Sequence, residues 1–455
     1  MAVSDGERIT VLKDMGLVTS VFDERGLSSL QGDLAIGHTR YSTTGPSTWH
    51  SAQPVYRPAG KAGFALGHNG NLTNTESLAI EAGMLGALTS DSDVVAELLA
   101  QGFPEEEEGL SEPDEEGSDH LLAALHAVLP RLKGAFAFAL MDADRLVAVR
   151  DPHGFRPLCL GRLDYKVDEG PRTGWVIASE SPALDICGAE LVREIEPGEM
   201  IVIDATGPKS YWPFGEEAKD AHLCVFEFVY FARPDSRLRN REVYSVRRRM
   251  GELLAGQDPV EADLVIGVPD SGVVAAEGYA AASGISFGQG LIKNRYIGRT
   301  FIAPTQEARA LGVRRKLNPL RASIEGKRLI VVDDSIVRGT TTRQLVKMLK
   351  EAGASEVHLR ISSPPFSWPC FYGIDTPSRD ELLGAQLTPA EMNAHIGSDS
   401  LEFLSLPNLM EAVGADAEGH GVCRACLTGD YPTEVPLSLK DRSAMMEREL
   451  VSSKP

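Results

Sequence analysis

Apolar positions along this chain fall into two regimes. From the start to about residue 215, short apolar runs recur between glycines, as in GAFAFALM (134–141), GWVIASE (174–180) and GEMIVID (198–204). Runs of that length bounded by turn residues predict buried strands in a layered sheet structure. From about 220 the order becomes strand, loop, helix. ADLVIGVP leads through a Gly-bearing turn into the small-residue helix VVAAEGYAAAS; RLIVV leads through DDSIVRG into TTTRQLVKMLKEAGA; EVHLRIS is a third strand. This alternation predicts an α/β domain with a parallel sheet and ligands at the carboxyl ends of its strands. The expected division is 1–219 and 220–455. No internal repeat is visible.

Composition narrows the class. A chain of 455 residues, 43% hydrophobic, can bury more than one core. No apolar run approaches the roughly 18 residues of a membrane span. The start carries no basic stretch followed by an apolar one, and the six cysteines form no secreted-type framework, so a cytoplasmic protein is expected. The formal charge of −20 argues against a coat for nucleic acid, while leaving room for a local basic site. PEEEEGLSEPDEEG (104–117) reads as a solvated surface insertion.

Against that acidic background, VVDDSIVRGTTT (331–342) poses a chemical problem. Asp333 and Asp334 fall where a strand ends, and Gly339, Thr340 and Thr341 open the next helix, where backbone N–H groups and hydroxyls can wrap a phosphate. Two carboxylates would repel that phosphate unless a divalent cation or a sugar diol stands between. A phosphorylated ribose meets both needs. Neither G-x-x-x-x-G-K-[ST] nor a complete G-x-G-x-x-G is present.

The segment, with Ser335 and Arg338, resembles the phosphoribosyl pyrophosphate (PRPP) motif of type I phosphoribosyltransferases. GVPDSGVVAAEGYA (267–280), with Asp270, Ser271 and Gly272, looks like that family's pyrophosphate loop, and Ser271 is placed to reach a bound metal. The resemblance implies Mg2+ held through Ser271, Asp333 and Asp334. Between the two loops, KNRYIGRTFIAPTQEARALGVRRKLNP (293–319) carries seven basic residues and one Glu. It reads as a lid that neutralises departing pyrophosphate, with Lys293, Arg299, Arg314, Arg315 and Lys316. Nucleic-acid binding is disfavoured there because aromatic residues are sparse.

In the first half, IGHTRYSTTG (36–45), GHNGNLTN (67–74) and SDSD (90–93) together resemble class II glutamine amidotransferases, the N-terminal-nucleophile (Ntn) hydrolases, which implies αββα layers. By that resemblance Arg40 pairs with the glutamine carboxylate, Asn69 and Gly70 form the oxyanion hole, and Asp91 holds the α-ammonium group. His38 and His68 are assigned structural roles. The order of the two halves, with FEFVYFARPDS (226–236) and YPTEVPLS (431–438), is similar to the amidophosphoribosyltransferase family. That resemblance implies the first committed step of purine synthesis: PRPP, glutamine and water give 5-phospho-β-D-ribosylamine, glutamate and pyrophosphate. It also implies a homotetramer inhibited by purine nucleotides.

Two features bear on the resemblance. The family's nucleophile is an N-terminal cysteine with a free α-amine, and no cysteine precedes Cys159. The stretch MAVSDGERIT is therefore expected to be part of a truncated strand pair with unpaired edges, and the chain as written is expected to use ammonia only. Cys423 and Cys426 form a CxxC, for which zinc and buried thiols are the plain chemical readings. With Cys224 and Cys370 they match the family branch that binds a [4Fe–4S] cluster, which is what the resemblance implies. Cys159 and Cys187 read as core residues. A PRPP-sensing module without turnover and a nucleobase phosphoribosyltransferase are the competing functions. The basic stretch argues against the first and the amidotransferase-like half against the second.

Overall fold

The computed structural model describes residues 1–40, 48–84, 90–103, 119–167, 170–215, 220–294, 316–374, 376, 378–416 and 419–436. The chain divides into two units. One holds Met1–Leu223 with short later segments starting at Cys370 and Thr433; the other starts at Cys224.

The apolar runs at 134–141 and 198–204 become strands buried on both faces, whereas the run at 174–180, also expected to be buried, falls largely in a strand with no buried residue. Its strands are β1 (Ala2–Ser4), β2 (Ile9–Val11), β3 (Leu34–Ile36), β4 (Val55–Arg57), β5 (Phe64–Leu72), β6 (Gly134–Met141), β7 (Leu146–Arg150), β8 (Cys159–Val167), β9 (Gly170–Ala178), β10 (Glu190–Glu194), β11 (Met200–Asp204) and β12 (Gly207–Tyr211). Six form an antiparallel sheet in the order β12-β11-β7-β6-β5-β4. Along β6 the side chains alternate by size. Phe136, Phe138 and Leu140 enter a core shared with helices α1 (Asp91–Gln101) and α2 (His120–Val128). Ala137, Ala139 and Met141 enter a second core with Ala2, Ile36, Leu160 and Ile195 from the smaller sheets β2-β1-β3 and β10-β8-β9. Large residues fill the helix side, and small ones let strands approach on the other.

The opening stretch forms a three-stranded sheet in which β1 is central and β2 and β3 are the edges. β1 and β2 pair as an antiparallel hairpin, and β1 also pairs with β3, so β1 has both edges bonded and Ala2 is fully buried. Cys159 is buried as expected, but Cys187 is exposed: it ends the helix Ser181–Cys187 on that helix's solvent side.

In the second unit, β13 (Leu264–Gly267), β16 (Arg328–Asp333), β17 (Glu356–Ile361) and β18 (Ser400–Phe403) lie parallel in that order. Between β13 and β16 in sequence come β14 (Leu291–Lys293) and β15 (Leu317–Pro319), an antiparallel pair. The predicted helices are α4 (Gly272–Ser283) and α5 (Thr340–Glu351). Leu345, Val346 and Leu349 of α5 pack on Leu329, Val331 and Leu359. The small-residue character of α4 serves its contact with α3 (Val243–Gln257). A Cβ at Gly278 would lie 1.9 Å from the Arg248 carbonyl oxygen, and one at Gly251 1.8 Å from that of Ala275.

Candidate functional sites

The acid pair sits where the sheet places it, at the carboxyl end of β16, and the loop after β13 lies beside it. Parallel pairing aligns Gly267 with Val332, so both strands deliver their loops to the same edge. The loops are in contact. Gly272 packs on the Val332 carbonyl, and Val268 donates its N–H to that carbonyl at 2.9 Å. The Ser271 hydroxyl donates to one oxygen of Asp334 and the Ser335 hydroxyl to the other. The Asp333 carboxylate accepts a local bond from the Asp334 N–H at 3.0 Å. Burial, then repulsion by Asp334, raises the Asp333 carboxyl well above the ordinary carboxylate range; burial also raises Asp334, against the pull of its two hydroxyl donors and Arg247. The pair carries more negative charge than its surroundings neutralise.

After the acids the chain turns through Gly339, whose φ of +70° is in the left-handed region, and enters α5. Thr340 is half-buried and Thr341 exposed at that N-terminus, with their N–H groups open to an anion. Arg338 is paired with Glu381 at 2.6 Å, a partner 43 residues away that no local pattern indicates. Lys293 forms an ion pair with exposed Asp270, joining the end of β14 to the loop after β13. Strands β14 and β15 flank the basic stretch in sequence and pair with each other, and the Asn294 N–H donates to the Lys316 carbonyl at 2.8 Å. Arg299, Arg314 and Arg315 lie outside the described residues.

The first unit gathers its candidate residues around β5. Asn69 and Gly70 pair with Ala137 and Phe136 of β6. Gly70 has φ +152°, and a Cβ there would lie 2.1 Å from the Ala135 carbonyl oxygen, so this position admits no side chain. Their neighbour His68 is buried, and its ring lies 3.2 Å from the Ser92 hydroxyl and 3.5 Å from Asp91. Asp91, opening α1, accepts the Leu72 N–H at 3.1 Å and the Ser92 N–H at 2.9 Å. Burial opposes ionisation of Asp91, but His68 and these donors prevail and hold its carboxyl below the ordinary value. His38 lies 3.0 Å from the His68 carbonyl oxygen, which brings the segment after β3, with Arg40 two residues on, to the same corner. Gln53 completes the network, accepting the His68 N–H at 2.7 Å and donating to Ser92 at 2.9 Å. Sequence reasoning passed over Gln53 and Arg247, since neither sits in a motif and each acts through a distant partner.

Cys224 and Cys370 are half-buried, and Cys423 and Cys426 are buried. Cys423 ends the strand Gly421–Cys423 and Cys426 lies in the helical turn Ala425–Thr428. The Cys370 sulfur accepts the Tyr372 N–H at 3.3 Å, although burial outweighs this and raises the thiol. Among the described residues no helix is long and apolar enough to cross a membrane.

Comparison with known proteins agrees with this two-part arrangement. A glutamine amidotransferase domain model matches residues 38–185, and a phosphoribosyl transferase domain model matches residues 239–362. The amidophosphoribosyltransferase of Mycobacterium leprae (strain TN) is 50% identical over 450 residues, 96% of this chain and 76% of that protein. That of Bacillus subtilis (strain 168) is 43% identical over 441 residues, covering 96% and 88%. The solved structure of glutamine PRPP amidotransferase from B. subtilis, complexed with ADP and GMP, superposes with a TM-score of 0.82 over 96% of this chain and 91% of that one. With an amidotransferase domain before a phosphoribosyltransferase domain and relatives of this identity along nearly its whole length, the chain belongs to the amidophosphoribosyltransferase family of purine biosynthesis.

Proposed function

We propose that the residues gathered at the sheet edge bind PRPP and direct ammonia to C1 of its ribose, displacing pyrophosphate. The observation that carries this is the hydroxyl–carboxylate bond from Ser271 to Asp334, which ties the pyrophosphate loop to the acid pair. In this reading the 2′,3′-diol bonds to Asp333 and Asp334. The loop Ser335, Arg338, Gly339, Thr340 and Thr341 takes the 5′-phosphate, and Asp270, Ser271, Gly272 and Lys293 face the diphosphate. Phosphoribosyltransferases typically use Mg2+, and the under-neutralised acid pair suits it: Ser271, Asp333 and Asp334 would hold the ion, which offsets charge on the leaving pyrophosphate. Lys293, Lys316 and the arginines between them add positive charge toward the same group.

For the amidotransferase unit we assign Arg40 and Asp91 to glutamine binding and Asn69 and Gly70 to the oxyanion hole. Residues 1–158 contain no cysteine, so the nitrogen source is decided by assay. With PRPP and Mg2+ under anaerobic conditions, the 455-residue chain is expected to release pyrophosphate with ammonium and not with glutamine. Release with neither overturns the transferase reading; release with glutamine assigns the nucleophile to another group.

The [4Fe–4S] cluster on Cys224, Cys370, Cys423 and Cys426 is carried over from the resemblance, supported by the burial of Cys423 and Cys426 and the N–H donor at Cys370. Iron and sulfide analysis of anaerobically prepared chain, against Cys426→Ser, tests it. A homotetramer and inhibition by purine nucleotides are likewise proposed, and the B. subtilis relative complexed with ADP and GMP favours nucleotide binding. A sensor without turnover has no support among the relatives, which are named as enzymes.

A further inference from the structure

The turn after β7, DPHGF (151–155), and the segment entering at Asp220 belong to the same unit and lie side by side. Both backbones are fixed. The His153 N–H donates to the buried Asp151 carboxylate at 2.9 Å, and the His153 carbonyl accepts the His222 N–H at 2.6 Å. Asp220 and His222 stand two apart as the chain enters the strand His222–Cys224, a spacing that puts both side chains on one face. That face meets His153. The Asp220 carboxylate oxygen is 3.0 Å from His222 Nε2 and 3.9 Å from His153 Nδ1, and the two rings lie 5.7 Å apart. One donor atom from each of the three residues falls within 4.8 Å of the others.

We propose that His153, Asp220 and His222 form a binding site for one zinc-type divalent cation, separate from the glutamine and PRPP sites. Two imidazoles and a carboxylate are the donors such an ion takes, at bond lengths of ~2.0–2.2 Å, with a fourth position left to water. Atoms within 4.8 Å of one another can converge on a single ion at those lengths by small side-chain rotations. An ion pair accounts for Asp220 with His222 alone; the metal site also accounts for the second imidazole on the same carboxylate. His153 Nδ1 lies 3.1 Å from the Asp220 carbonyl oxygen, and on binding the metal replaces the proton shared there, leaving the ring proton on Nε2. The ion clips the segment at 220–222 to the turn after β7. It is borderline in softness, whereas the acid pair of the PRPP site is an all-oxygen site for a hard cation.

The test is titration of the chelator-stripped chain with Co2+ alone, read by visible absorption and followed by Zn2+ displacement. A tetrahedral Co2+ band displaced by one equivalent of Zn2+ is expected in the Cys426→Ser chain as well as in the wild type, whose four cysteines add a thiolate charge-transfer band of their own. Asp220→Asn and His222→Gln are each expected to weaken binding roughly tenfold or more. Ammonium-dependent pyrophosphate release, retained in both variants, reports that they fold. The proposal is overturned by absence of the tetrahedral spectrum in Cys426→Ser, or by unchanged affinity in both the Asp220→Asn and His222→Gln variants.

Discussion

Replacing Gly272 by alanine tests the proposal that the contact between the loops after β13 and β16 positions PRPP. A Cβ at Gly272 would lie 2.3 Å from the Val332 carbonyl oxygen and 3.1 Å from the Asp333 Cα. Ordinary contact lies at 3.4 Å or beyond, so loop and strand must part by about 1 Å, at the strand end that carries the acids. Both neighbours are backbone, so no side chain can swing away, and the Val268 N–H bond to the same carbonyl is strained too. Overpacking of this kind costs about 1–3 kcal/mol. A misplacement of about 1 Å in a positioned site costs on the order of a hundredfold in rate. Gly284, at the far end of the same helix, is the control. Its φ is +72° and its Cβ direction is open, so alanine there costs about 1–2 kcal/mol of backbone strain without moving the loop. With ammonium saturating and PRPP varied, Gly272→Ala should lose roughly a hundredfold in kcat/KM, while Gly284→Ala keeps the wild-type value, although both lower the thermal midpoint. Wild-type kcat/KM in Gly272→Ala, or an equal loss in Gly284→Ala, would refute the positioning argument.

Three further outcomes are expected. Burial lowers the His38 imidazole to about 4 from its ordinary 6.5, so the unfolded chain binds the extra proton and stability falls as pH drops from about 6.5 toward 4; the loss is about 2 kcal/mol at pH 5, and His38→Gln should flatten that part of the pH dependence of the denaturation midpoint. Asp333→Asn removes like-charge repulsion and should raise the midpoint of the ligand-free chain, while weakening PRPP binding by about 1.5–3 kcal/mol, the worth of a bond to a charged acceptor; calorimetry showing unchanged PRPP affinity would remove Asp333 from the ribose site. Gly70→Ala places a side chain against the Ala135 carbonyl in the left-handed region, and strain plus overpacking should cost several kcal/mol, seen as a lowered midpoint for the amidotransferase unit in calorimetric scans.

What could be read from the sequence, and what could not, follows from the range over which each feature is determined. Strand, loop and helix around Asp333 are local, and a parallel sheet sends the loops after β13 and β16 to one edge, so the two loops were legible as neighbours. Even β6, without polar alternation, carries its two faces in the size alternation of Phe136, Phe138 and Leu140 against Ala137 and Ala139. The strand pair at the start was legible, whereas the pairing of β1 with β3 was not, because it forms only after separate segments pack. Partner choice is different in kind. Nothing near Arg338 selects Glu381, and nothing near His68 selects Gln53, because those pairs form only after separate elements pack. The same limit applies to Asp334: its type was legible, but its two hydroxyl partners, one adjacent and one on another strand's loop, depend on the register of β13 against β16. Since that register also sets how the acid pair shares its charge, the ionisation of the site is a property of the packed sheet rather than of the motif.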